Sequence, residues 1–160
     1  MNKNQLILAA IAKLTRDLDN NINAAKSAHD ASIDDQSIAE TQYDTLAIEA
    51  AYLAEGQSRR VQAITEEILQ LEHLQLNNFN EETPIRNGAL IQLSQDVEKE
   101  RWFFMVPAAA GFTATIEGRL ITFITPQSPI GQALQGKFID DEIKLSIGNN
   151  QISSYVSSIC

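Results

Sequence analysis

Over residues 1–76 the chain has no proline and a single glycine, Gly56, and its apolar residues recur at alternating steps of four and three. In the first arm Ile7, Ile11, Leu14, Leu18, Ala25 and Ala28 keep this rhythm, with Asn21 as the polar member. In the second, Leu46, Ala50, Leu53, Gln57, Arg60, Ile64, Ile68 and Leu71 nearly keep it, with one extra step of four. Gln57 and Arg60 interrupt that seam, and Val61 can stand in for Arg60. A spacing near 3.5 makes a narrow apolar stripe, as in a coiled-coil seam rather than a helix on a broad core. Two such helices with a short connection pack antiparallel as a hairpin. A second helix from about 38 to 76 would be about 57 Å long at the α-helical rise. Towards the connection the seam turns to alanine (Ala24, Ala25 and Ala28 facing Ala47, Ala50 and Ala51), which buries less area, so that end should be thinner and less stable.

The connection is expected between about residues 30 and 38. It falls in the stretch DASIDDQSIAETQYD, which carries Asp30, Asp34, Asp35, Glu40 and Asp44, and no Lys or Arg occurs between Lys26 and Arg59. Taken alone, such a stretch is a solvated turn whose Asp and Ser residues cap helices; Ser37 with Glu40 three residues on has the form of a capping box. His29 beside these acids is a weak metal-ligand signal, and His73 should face solvent.

Residues 77–88, NNFNEETPIRNG, are breaker and turn chemistry. Beyond them ALIQLS, RWFFMV, FTATIE, LITFIT, EIKLSI and QISSYVSSI read as strands, with EGR at 117–119 and GNN at 148–150 as hairpin turns. Trp102, Phe103 and Phe104 alternate faces of one strand, so one side is core and the other partly exposed. Ser128 suits an N-cap, Pro129 the first helical position and Gly136 the position past the end, giving one short helix over 129–135. The expected fold class is α+β: an N-terminal antiparallel coiled-coil hairpin over 1–78, then a small antiparallel β-sheet domain with one short helix over 79–160.

The stretch TPQSPIGQALQGKFIDDEIKL resembles the C-terminal signature of the bacterial Gre transcript-cleavage factors. That pattern runs Ser-Pro-[Leu/Ile]-Gly/Ala-x-Ala-Leu-x-Gly-Lys, then an acidic Gly-Asp turn into a strand. Ser128, Pro129, Ile130, Gly131, Ala133, Leu134, Gly136 and Lys137 fall in place, while Asp140-Asp141-Glu142 stands where Gly-Asp is usual. IRNGALIQL, 85–93, is similar to the family's first strand, and the order of helical arms, linker and β domain agrees. The resemblance implies an FKBP-like C-terminal domain docked at the rim of the RNA polymerase secondary channel, with Ser128, Pro129, Ile130, Gly131 and Lys137 as candidate partner-contacting residues. It implies a hairpin whose tip carboxylates, here Asp34, Asp35 and Glu40, act in trans by sharing the polymerase's active-site Mg²⁺ and positioning the water that cuts backtracked RNA. The implied protein is a monomer with no cofactor of its own. It is cytoplasmic, nucleoid-associated through bacterial RNA polymerase, and meets nascent RNA only indirectly. The tip departs from the family's Asp-[Leu/Ile]-x-Glu-Asn-x-x-Tyr: in SIAETQY, aligned on Glu40, Ser37 takes the Asp position and Thr41 the Asn position, and aligned on Tyr43 instead, Gln36 and Ala39 fall on the two acids.

Composition sets limits on the alternatives. A net charge of −9 argues against a general nucleic-acid binder, which needs a basic face for phosphates, but not against a chain entering a positively charged or metal-holding cavity. The one cysteine, Cys160, excludes an intramolecular disulfide and points to a reducing compartment; with no cation expected beside it, it should be inert. Lys13 and Arg16 interrupt the opening residues, so no leader or membrane span is expected there. Rival classes are a regulator at the same polymerase site that inhibits or modulates without cleavage, an FKBP-like prolyl isomerase, and a plain coiled-coil adaptor. The isomerase needs an open aromatic pocket, for which Trp102, Phe103, Phe104, Phe112 and Phe123 are the available residues.

Overall fold

The computed structural model describes residues 2–34, 43–96, 101–147 and 150–160. Two long helices come first, α1 (Lys3–Asp34) and α2 (Tyr43–Glu72). The strands are β1 (Leu90–Leu93), β2 (Arg101–Met105), β3 (Thr113–Ile116), β4 (Arg119–Ile124), β5 (Glu142–Ile147) and β6 (Asn150–Ile159), with α3 (Pro129–Leu134) between β4 and β5 and a 3₁₀ turn, Ser94–Asp96, after β1. By packing, the chain divides into Met1–Ile11 with Gln70–Cys160, and Ala12–Leu69. That differs from a sequence boundary at 78/79, because the start of α1 and the end of α2 group with the sheet.

Within Ala12–Leu69 burial follows the expected rhythm on α1. Leu14 is buried, and Leu18, Asn21 and Ala25 are half-buried between exposed neighbours. Asn21 satisfies its amide on its own helix, donating from Nδ2 to the Asp17 carbonyl at 2.7 Å. On α2 Ile64 is fully buried, and Gln57, Val61 and Ile68 are half-buried. Arg60 is exposed, so Val61 holds the seam position. Leu53 does not belong to the seam as expected: it is 60% exposed, beside Tyr52 at 70%. A helix pair covers only a narrow stripe of each helix, and a leucine off that stripe stays in solvent. Lys13–Asp17 (2.6 Å) and Glu55–Arg59 (2.7 Å) pair one turn apart on exposed positions, where such pairs contribute little.

The helix ends differ from expectation. α1 runs through Asp34, so Asp30 to Asp34 lie in its last turn rather than in the connection. ASID contains neither glycine nor proline, and nothing in it forces the backbone out of the helix. α2 ends at Glu72, four residues before the expected end at 76, with the Leu74 amide closing a turn on the Leu71 carbonyl at 3.2 Å. Of the connection expected near 30–38, residues 30–34 are thus helical, and 35–38 lie outside the described residues, as does Glu40.

Within the sheet unit, α1 presents a broader apolar face: Leu6, Ile7 and Ala10 are buried, as is Leu71 of α2. Lys3 donates from Nζ to the Asn77 carbonyl at 3.1 Å, so the chain returns after α2 to where it set out. The sheet order is β3-β4-β2-β1-β6-β5. All six expected strands are present, but the sheet is mixed rather than antiparallel, because β2 and β4 run parallel from Arg101↔Leu120 to Met105↔Ile124. The cause is local. Glu117 and Gly118 both have positive φ (54° and 78°), forming a two-residue hairpin that places β3 beside β4. With β3 on the outer edge, β4 enters beside β2 in the same direction. The other expected turn, at 148–150, lies mostly outside the described residues.

α3 covers one face of the sheet. Leu134 joins Ile91, Leu93, Met105, Ile124, Ile143 and Val156 in a core against which Ile130, Ala133, Phe79 and Phe103 pack. Phe103 thus belongs to the core rather than to an exposed patch. On the opposite face Phe123 meets Phe104 and Phe112 edge-on, with centroids 5.2 and 5.0 Å apart.

The burial pattern distinguishes two leucines of equal size. Leu14→Ala should lower the stability of the helical transition by about 2 kcal/mol, whereas Leu53→Ala should cost under about 1 kcal/mol. Urea unfolding of the full chain, followed by helical circular dichroism, measures both. Equal losses would contradict the observed seam.

Candidate functional site

Two regions carry the candidate residues. The first surrounds α3, where the sequence motif becomes a set of backbone constraints. Ser128 sits in extended conformation (φ −68°, ψ 151°) as N-cap, and its Oγ accepts from the Gly131 amide at 3.1 Å. The same hydroxyl donates to the Thr125 carbonyl at 2.7 Å, so both its hydrogen-bonding functions are used locally. A Cβ on Gly131 would lie 1.9 Å from the Thr125 carbonyl oxygen, closer than any side chain permits. Gly136 ends the helix at φ 77°. Its amide donates to the Ile85 carbonyl at 2.9 Å, and the Ile85 amide donates to the Lys137 carbonyl at 2.8 Å, tying the approach to β1 onto the end of α3.

Of the five candidate contact residues, Ser128 and Gly131 therefore turn inward, and Ile130 packs on the core. Pro129 is exposed and Lys137 half-exposed. The face that this segment shows to solvent is Pro129, Gln132, Gln135, Gly136 and Phe138, the last 40% exposed. Phe138 was not singled out by sequence, since nothing in its spacing separates a surface aromatic from a core one.

The following turn accounts for the departure from the Gly-Asp pattern. Asp140 adopts φ 67°, the left-handed region that glycine favours and that aspartate tolerates better than most residues. Its amide donates to the Val156 carbonyl at 2.9 Å, while Asp141 Oδ2 accepts from the Phe138 amide at 2.8 Å. The family glycine position is thus filled at some conformational cost with the turn preserved.

The second region is the acidic end of the helical arms. Asp34 is the last residue of α1, and Asp44 the second of α2. The side chain of Asp34 and the whole of Asp35 and Glu40 lie outside the described residues, as does the side chain of His29. Among the described residues no group of three or more His, Cys, Asp or Glu is placed to hold a metal. The helix backbone does put Asp30 and Asp34 one turn apart, and the last turn of α1 has no basic residue. Acids at a helix C-terminus oppose the macrodipole, and like charges at i, i+4 repel, each by some tenths of a kcal/mol.

The ends of the chain hold an arrangement the sequence does not reveal. The Lys3 ammonium lies 4.6 Å over the Phe79 ring, and the Arg86 guanidinium 5.9 Å from the same centroid. Desolvation by burial lowers the Lys3 pKa, opposed by attraction to Cys160. Cys160 is exposed, and its backbone pairs with Leu90 through hydrogen bonds of 2.8 and 2.9 Å.

Gly131→Ala should abolish folding or cost at least about 3 kcal/mol by urea unfolding, and Ser128→Ala about 1 kcal/mol. Asp140→Gly should instead stabilise by about 0.5–1 kcal/mol; a loss would contradict strain at that turn. For Lys3 the folded pKa lies below the unfolded 10.5, so its charged form opposes folding at neutral pH. As pH rises between the two values, the unfolded chain binds more protons and stability increases. Lys3→Met should remove that alkaline gain, as seen from unfolding curves of both proteins across the window.

No protein-family model and no curated protein sequence matches the chain. Among solved structures it is similar to one of the transcription factor Gfh1, with 20% identity and a TM-score of 0.40 over 94% of this chain and 93% of that one. It is also similar to GreA factor homolog 1 (Gfh1) of Thermus thermophilus (16%, 0.36, 94% of each chain) and to Gfh1 of Thermus aquaticus (17%, 0.36, 94% of each). At such identities and TM-scores the likeness says nothing of activity.

Proposed function

We propose that this chain is a Gre-like regulator of bacterial transcription, binding RNA polymerase at the secondary channel and bringing the acid-rich connection between α1 and α2 to the active-site Mg²⁺. The observation that carries this reading is the segment from Ser128 to Lys137. It matches the Gre signature at eight positions and folds as that signature requires, with a serine cap, a glycine under Thr125 and a glycine stop. Two helices of 32 and 30 residues precede it, each about 45 Å or longer at the α-helical rise.

Docking falls to the sheet unit, through the exposed side of the α3 segment around Pro129, Lys137 and Phe138. Asp34, Asp35 and Glu40 offer hard carboxylate oxygens of the kind Mg²⁺ takes, and no Lys or Arg between Lys26 and Arg59 competes for them. A Mg²⁺ shared with the polymerase would activate water for hydrolysis of backtracked RNA. The chain supplies ligands and is no enzyme by itself. Ser37 and Thr41, where the family has Asp and Asn, favour a variant of the same reading in which the protein modulates or inhibits the polymerase without stimulating cleavage. The isomerase reading is disfavoured by the aromatic residues: Phe104 and Phe123 are fully buried and packed edge-on against one another, and Phe103 packs into the core.

The test is the full-length triple variant Asp34→Asn, Asp35→Asn, Glu40→Gln, assayed for polymerase binding and for RNA cleavage or inhibition in backtracked complexes. Binding should persist and the effect on transcription fall tenfold or more, roughly 1.4 kcal/mol or beyond. A variant that binds and acts like the parent would reduce these carboxylates to a solvated turn.

A further inference from the structure

We draw no further inference here: the strongest candidate, the open groove between the 80–82 segment and the end of β6, sets the exposed Glu81 and Glu82 over Ile139 and Ile159, and nothing in the structure shows what covers it.

Discussion

Asp30 and Asp34 stand one helical turn apart at the C-terminal end of α1, where the helix's own carbonyls already carry partial negative charge. The rest of the hairpin has to hold this end in place without help from it. The seam is arranged accordingly. Leu6, Ile7, Ala10 and Leu14 are buried near the start of α1, while Leu18, Asn21 and Ala25 are only half-buried further along. Apolar area therefore accumulates far from the acids. Towards that end the sequence of α1 turns to Ala24, Ala25 and Ala28, which bury less area than leucine.

The sheet unit solves a different problem, that of presenting a defined surface. Ser128, Gly131 and Thr125 close on one another within a single turn, and Gly136 and Lys137 are held through Ile85. The residues most characteristic of the signature are thus those least available to a partner. What they do is fix the direction of Pro129, Lys137 and Phe138. A change at Gly131 would act on any partner indirectly, by dismantling the turn, whereas a change at Phe138 would leave the fold intact.

Much of this was legible in the sequence because it is local. The alternating seam located both helices, strand propensity located six strands, and Ser128 with Pro129 and Gly136 bounded α3 almost to the residue. What escaped depends on neighbours distant in the chain. Periodicity does not say which strands adjoin, so the parallel pairing of β2 with β4 followed only from the outer placement of β3. Leu53 fits the seam by spacing but lacks enough covering surface, which spacing cannot register. The hydrogen bond from Lys3 to the Asn77 carbonyl joins residues 74 apart in the chain and has no local signal at all. By sequence Asp34 falls in the expected connection, whereas the helix continues through it.

The central claim is that the acid-rich connection reaches the polymerase's catalytic metal. Substituting Fe²⁺ for that Mg²⁺ in a complex of the full-length chain with bacterial RNA polymerase generates hydroxyl radicals at the metal, which cut whatever backbone lies beside it. The account predicts cuts in this chain confined to the stretch around Asp34, Asp35 and Glu40. An uncut chain in a verified complex, or cuts within the sheet, would contradict it.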